Sequence, residues 1–465
     1  MTVMKRMTVA LVFVAFLGAC QGEALESSTS QSDATSTSGS GTDGSLEGSI
    51  TMTFWGGPLE KDAMERVAES YEEGHPGVTV DVEHVAYENY DQRLATMVSS
   101  GSQPDLAYIQ PYMAEEFAEE GVLLDFGPYF ENDPDASQYL EQLQFHYGDQ
   151  YVGDAIAGEV VLLYYNRDLF DAAGIDYPPT SAEDAWSWDE FLEVAKALTV
   201  DRSGNSADSP QFDPNDIAQY GIDFQRWWDG WMTLFYMAGN DIANEDGTAL
   251  TINEPDAVDG LQRFGDLIHK HHVAPTASQL SSSGADGLFL TGQLAMLMNG
   301  HWKILDYSQA EDLNWGIAVL PVIDEPVTAQ ITAPIVAFSD SENPDLAIDF
   351  YKYLRTPSES NDLYSLGLWM PIQGDYYTDE AKISEWLDTI PGVYPEESRE
   401  VLIEYAPEYS TKPLPVQWLK NLAQIQNEAI QPAIELVWSG EATAQEAMDQ
   451  AVADAAPMMK GRWDN

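Results

Sequence analysis

From residue 49 onward the chain alternates between short β-branched and aromatic runs and longer stretches with apolar residues at helical spacing. No other feature restricts the fold as strongly. Residues 49–55, Ser-Ile-Thr-Met-Thr-Phe-Trp, alternate as a strand and stop at Gly56-Gly57-Pro58. Residues 59–71 predict a helix, Gly74-His75-Pro76-Gly77 breaks it, and residues 78–82 predict a second strand. A helix over 88–99, a loop at Gly101-Ser102-Gln103-Pro104 and a strand over 105–109 follow. Such alternation implies a parallel sheet covered by helices on both faces. Ligands in these sheets bind beyond the carboxyl ends of the strands, which here means Trp55 and residues 110–112.

The charge balance excludes one broad class of partner. Lys and Arg total 20 against 78 Asp and Glu, a formal net charge of −58. Such a surface cannot follow a phosphate backbone by releasing counterions, so nucleic acid is not expected as a partner. Disorder is not implied either, because 44% hydrophobic and 11% aromatic residues suffice for a packed core. Self-repulsion of this size predicts a protein that folds best where salt screens it, and hence a halophilic or salt-tolerant source.

The first residues read as an export signal. Lys5 and Arg6 precede an apolar run over 7–17, well short of the roughly 20 residues of a membrane-spanning helix. The run closes on Leu17-Gly18-Ala19-Cys20, which resembles a bacterial lipoprotein box. That resemblance implies cleavage after residue 19 and a lipid on Cys20. Residues 21–48 are rich in Ser, Thr and Gly and predict a flexible tether. Cys20 is the only cysteine, so the chain can form no internal disulfide and its core alone must hold it.

About 420 residues remain beyond the tether, more than one core usually holds, so two lobes are expected. Residues 160–166 predict a strand, 188–198 a helix, 285–298 a helix running into a strand, 315–320 a strand, 343–354 an amphipathic helix, and 416–438 and 443–458 helices. The loop over 201–215 carries Asp201, Asn205 and Asp208 without the spacing or terminal Glu of a calcium loop, and predicts a solvated surface loop. His269, His271 and His272 at a helix end lack a ligand set, so no metal and no cofactor is expected.

The order of several phrases then resembles a known family. These are Leu163-Tyr164-Tyr165-Asn166-Arg167-Asp168-Leu169-Phe170, Ala173-Gly174-Ile175, Pro178-Pro179, Trp188-Asp189-Glu190-Phe191, Phe289-Leu290-Thr291-Gly292-Gln293-Leu294-Ala295-Met296-Leu297-Met298-Asn299-Gly300-His301-Trp302 and Gly316-Ile317-Ala318-Val319-Leu320-Pro321. Together they are similar to the extracellular solute-binding proteins of ABC sugar importers, the maltose-binding-protein-like group. The resemblance implies an α/β fold of two lobes, each a mainly parallel sheet flanked by helices, that close about a hinge. It places residues 49–157 with 314–358 in one lobe and 158–313 with 359–465 in the other, with hinge crossings near Ala157 and Asn314.

Sugars offer flat C–H faces and many hydroxyls, so a site for them needs aromatic plates, amides and carboxylates. Trp227, Trp228 and Trp231 crowd one turn, and at least one of them must leave the core; Trp231 is the expected buried member. The family phrases add Trp302 as a stacking plate, with Asn299 and Glu159 as hydrogen-bonding groups. Strand ends and loops add Gln110, Tyr112, Trp369 and Trp55, with Trp418 as a weaker candidate. The implied protein is a non-enzymatic monomer, held to the membrane through Cys20, that passes a carbohydrate to the transmembrane subunits of an ABC permease. Two alternatives stay open at this point: the same fold binding a polyamine or other cation, and a secreted glycosidase.

Overall fold

A computed structural model describes residues 46–463 apart from 132, 135, 281–283 and 412–417. The signal segment, Cys20 and the tether up to residue 45 lie outside the described residues. Among the described residues no helix is long and apolar enough to cross a membrane.

Among the described residues, eleven strands form two sheets. The strands are β1 (Gly48–Trp55), β2 (Val78–Val85), β3 (Leu106–Tyr108), β4 (Gln144–Tyr147), β5 (Gln150–Ala155), β6 (Val161–Asn166), β7 (Val200–Asp201), β8 (Ile217–Phe224), β9 (Leu294–Gly300), β10 (Trp315–Ala318) and β11 (Pro334–Ala337). The first sheet runs β2-β1-β3-β11-β5-β4 and the second β10-β6-β9-β8-β7. Helices flank both, so the α/β class and the two-sheet architecture stand.

The sheets are mixed, which corrects the expectation that each is mainly parallel. β1 pairs in parallel with β2 and β3, as the strand–helix alternation requires. The rest of the first sheet is antiparallel. Its hairpin β4–β5 turns on Gly148-Asp149, with Gly148 at φ 55, a left-handed conformation that glycine adopts without strain. β11 arrives from the second sheet and runs back against β3. In the second sheet only β8 and β9 are parallel.

Strand β10 also departs from expectation. Residues 314–358 are expected in the first lobe, yet Trp315–Ala318 pair with β6 in the second sheet. Gly316 permits this, because an added Cβ would stand 2.5 Å from the Tyr165 ring on the neighbouring strand. The second connection between the sheets therefore falls at residues 319–333 rather than at Asn314.

Every residue of β6 and β9 is buried, because helical and irregular segments cover both faces. Leu162 and Tyr164 point to one core, Val161, Leu163 and Tyr165 to the other. The helix Pro58–Gly74 begins with Pro at its first turn and buries Ala63, Met64, Val67, Ala68 and Tyr71, one face at helical spacing. The helix Trp188–Leu198 is fixed by a capping box, in which Glu190 N–H donates to Ser187 Oγ and Glu190 Oε2 accepts from Ser187 N–H.

Two extended segments join the sheets and lie side by side. Ile156 N–H donates to Ala333 O at 2.6 Å, Ile331 N–H to Glu159 O at 2.9 Å, and Thr332 Oγ1 to Ala157 O at 3.1 Å. Thr328 Oγ1 donates to Val161 O at 2.6 Å and accepts from Val161 N–H at 3.1 Å. The buried Arg355 secures the upstream end through the carbonyls of Ala155 and Ile156. These hydrogen bonds tie the two segments to each other.

The loop after β7 folds about Asp201. Asp201 accepts from the N–H groups of Ser203, Asn205 and Asp213 and from the Asn205 amide, and these donors lower its carboxyl to about 2. Its oxygens face donors, the environment of an anion. His269 Nε2 lies 3.1 Å from Trp438 O, and among the described residues no group of three or more His, Cys, Asp or Glu is arranged to hold a metal.

Candidate ligand-binding cleft

A cavity of about 830 Å³ opens between the two sheets, with the paired connecting segments as part of its floor. Its first wall is built at the carboxyl ends of β1 and β3, where the alternation places a site. Trp55 ends β1 and stands edge-on to Tyr87, Tyr90 and Tyr108, at centroid distances of 5.8, 5.0 and 5.1 Å. Three phenol rings therefore fix its plane.

The turn after Trp55 brings in a carboxylate. Gly56 has φ 148, and an added Cβ would stand 2.0 Å from Glu60 Oε2, so Glu60 folds back over the glycine. Burial, together with the like charges of Glu159 and Asp306, pushes the Glu60 carboxyl up to about 8. Beyond β3, Gln110 Nε2 donates to Tyr87 Oη at 3.2 Å and Tyr112 Oη donates to Asp91 Oδ2 at 2.5 Å. Burial raises Asp91 above the ordinary carboxylate value, against the opposing hydrogen bond from Tyr112.

The second wall rests on β8 and β9. Trp227 caps the helix Trp228–Met237 with extended backbone and is 50% exposed, while Trp228 is half-buried on the first turn. Trp231 is fully buried and donates its indole N–H to Gln431 Oε1 at 3.0 Å. At the end of β9, Trp302 lies back over Gly300, where an added Cβ would stand 2.1 Å from its ring. Lys303 follows, held by Asp286 Oδ2 at 3.0 Å and Asp306 Oδ2 at 2.9 Å. Burial pulls its ammonium down, but the two carboxylates outweigh that and hold its pKa above the ordinary lysine value.

The walls touch. Trp228 Nε1 donates to Tyr87 Oη at 3.2 Å, so Tyr87 accepts from one residue of each wall. Between them, in the floor, Glu159 is 8% exposed and neither carboxylate oxygen accepts a hydrogen bond. His301 Nδ1 stands 3.2 Å from Glu159 Oε2, outside hydrogen-bond geometry.

Eight of the nine residues singled out in the sequence line this cavity: Trp55, Gln110, Tyr112, Glu159, Trp227, Trp228, Trp302 and Trp369. Trp369 is only 2% exposed, packs on Tyr364 at 5.7 Å and has the Arg355 guanidinium 5.6 Å from its ring centre, so it belongs to the floor. Asn299 is corrected. It lies behind the wall, accepting from Gln225 Nε2 at 2.7 Å and donating to Asp286 Oδ1 at 3.3 Å, and it lines an adjoining cavity of about 580 Å³. Its short side chain reaches two residues of the cleft rather than the cleft itself. Trp418 packs on Phe145 at 6.3 Å, outside the cavity lining.

Sequence reasoning missed Glu60, Tyr87, Asp91, Gln225, Asp286, Lys303 and Asp306. The strand-end rule that marked Trp55 carries a signal for Glu60, five residues downstream on the helix after the same turn. Asp286 and Lys303 carry none, since their convergence depends on how two short helices meet β9.

A family model for bacterial extracellular solute-binding proteins matches residues 57–360. A lactose-binding protein of Rhizobium radiobacter is similar at 24% identity, covering 65% of this chain and 69% of its own. The sn-glycerol-3-phosphate-binding periplasmic protein of Escherichia coli K12 is similar at 22% identity, covering 88% and 92%. In structure, an ABC substrate-binding protein from Listeria monocytogenes in complex with cycloalternan aligns at a TM-score of 0.76 and 24% identity, over 89% of this chain and 99% of that one. With the family match spanning well over half of the sequence, the chain belongs to the bacterial extracellular solute-binding proteins.

Proposed function

We propose that this protein captures an oligosaccharide by closing its two lobes about the paired connecting segments, and delivers it to an ABC permease. The observation that carries the reading is the pair of facing aromatic walls, Trp55 opposite Trp228 and Trp302, with amides and carboxylates between them. Aromatic faces match the C–H faces of sugar rings, and the polar groups meet hydroxyls once water leaves. The volume of about 830 Å³ is toward the upper end of the range for small-molecule pockets, about 300–1,000 Å³, and suits more than one ring. Relatives that bind lactose and cycloalternan support a saccharide. The relative that binds glycerol phosphate is a weaker guide, because the one ammonium lining this cleft among the described residues, Lys303, already faces two carboxylates.

The capture role is binding rather than turnover, consistent with relatives that are binding proteins. Anchoring through a lipid on Cys20, with residues 21–48 as a tether, completes the proposal: a monomer that meets the permease at the outer face of the membrane. The acidic surface adds that the protein works in high salt.

A thermal-shift panel of mono- and oligosaccharides, sugar phosphates and polyamines against the full-length protein in molar salt tests this. A sugar at about 100 times its dissociation constant adds about 2.7 kcal/mol. The expected result is selective stabilisation by one oligosaccharide class, with the sugar recovered intact. Stabilisation by sugar phosphates alone, or consumption of the sugar, would overturn the proposal.

A further inference from the structure

Among the described residues, the lining of the cleft carries six carboxylates, Glu60, Glu88, Asp91, Glu159, Asp286 and Asp306, against one ammonium, that of Lys303. Lys303 is committed to Asp286 and Asp306. That leaves Glu60, Glu88 and Asp91 on the first wall and Glu159 in the floor without a lysine or arginine partner in the described lining. Glu159, 8% exposed, has two oxygens that accept no hydrogen bond, with the His301 ring 3.2 Å from one of them. A buried carboxylate in that condition is costly, and a ligand that donates to it recovers the loss.

We propose, resting on the carbohydrate reading above, that the cargo is positively charged: an oligosaccharide with at least one unacetylated hexosamine, its ammonium placed against Glu159 in the cavity that Glu60 also lines. An ammonium supplies three donors and a unit charge to the two Glu159 oxygens, which accept no hydrogen bond in the protein. A metal ion is a poor occupant, since among the described residues no carboxylate group has the geometry to hold one. The aromatic walls favour a sugar ring as the carrier of the charge, and they attract the cation as well.

Isothermal titration of the full-length protein separates the possibilities, using four probes: glucosamine trimer, its fully N-acetylated counterpart, maltotriose and spermidine. Near pH 6 the glucosamine trimer is expected to bind at least about tenfold tighter than the acetylated trimer, a difference of about 1.4 kcal/mol. Above about pH 9, where an ordinary amine of this kind has lost its proton, that preference is expected to vanish. Glu60→Gln and Glu159→Gln are expected to reduce the ratio near pH 6. Equal or tighter binding of the acetylated trimer or of maltotriose overturns the inference and leaves oligosaccharide capture standing. Binding of spermidine alone overturns both. If none of the four probes binds, the inference fails, and the wider saccharide panel decides the fate of the capture reading.

Discussion

The two walls of the cleft do different physical jobs with similar residues. In the first wall, Trp55 is wedged among Tyr87, Tyr90 and Tyr108, and no lysine or arginine of the described lining pairs with its neighbours Glu60 and Asp91, whose carboxyls are held above the ordinary value by burial. In the second wall, Trp302 rests on a bare glycine, and Asp286 and Asp306 are balanced by Lys303. The first wall is mechanically rigid and electrostatically strained; the second is electrostatically settled, and its aromatic plates are freer. A receptor that must recognise cargo and then move can use this division, with one wall presenting a fixed template and the other folding onto it.

The sharpest way to break the comparison is to remove one plate from each wall. Trp55→Ala is expected to lower stability by about 3 kcal/mol, because three tyrosines lose their common packing partner. Trp302→Ala is expected to leave stability within about 1.5 kcal/mol of the parent and to weaken the best sugar of the panel by about 1–3 kcal/mol. Denaturant unfolding and titration calorimetry separate the two effects. If Trp302→Ala is the more destabilising of the pair, the contrast between a rigid and a free wall is wrong.

Glu60 sharpens the electrostatic half. Its folded-state value of about 8 lies above the ordinary glutamate value of 4.5, so the folded protein holds the proton more tightly than the unfolded chain. Stability present below about pH 4.5 is therefore lost as pH rises toward about 8. Glu60→Gln removes that loss, and the variant is expected to be more stable than the parent at pH 8.5 by on the order of 2 kcal/mol, with little difference at pH 4.5. Urea midpoints at the two pH values check this. A constant offset between variant and parent would mean that Glu60 is not strained.

The smallest expected effect concerns the contact between the walls. Tyr87→Phe removes the acceptor shared by Trp228 and Gln110 and is expected to cost about 1 kcal/mol of sugar affinity. An unchanged affinity would make that bridge incidental to closure.

How much of this was legible in the sequence follows from the range of the interactions involved. Strand–helix alternation is local, so β1, β2, β3 and the helix Trp188–Leu198 could be read almost to the residue. The mixed pairing could not, because β11 and β10 find their partners across more than 140 residues. Plates such as Trp55 and Trp302 announce themselves by residue type at a strand end. The carboxylates do not, since Glu60 and Asp306 are two among 78 acids, and only their approach across the cleft distinguishes them. Asn299 shows the remaining limit: a residue can sit in the right phrase and still serve the site through its neighbours.

The central claim is closure of two lobes over a sugar, and the chain offers a simple way to see it. Cys20 is the only cysteine, so Cys20→Ser gives a thiol-free background for two spin labels, one at the exposed Glu69 on the helix Pro58–Gly74 and one at the exposed Glu193 on the helix Trp188–Leu198. Closure is expected to shift the distance distribution to shorter values and narrow it when the sugar selected by the panel saturates the protein. A distribution that stays the same while the sugar is bound would contradict capture by closure.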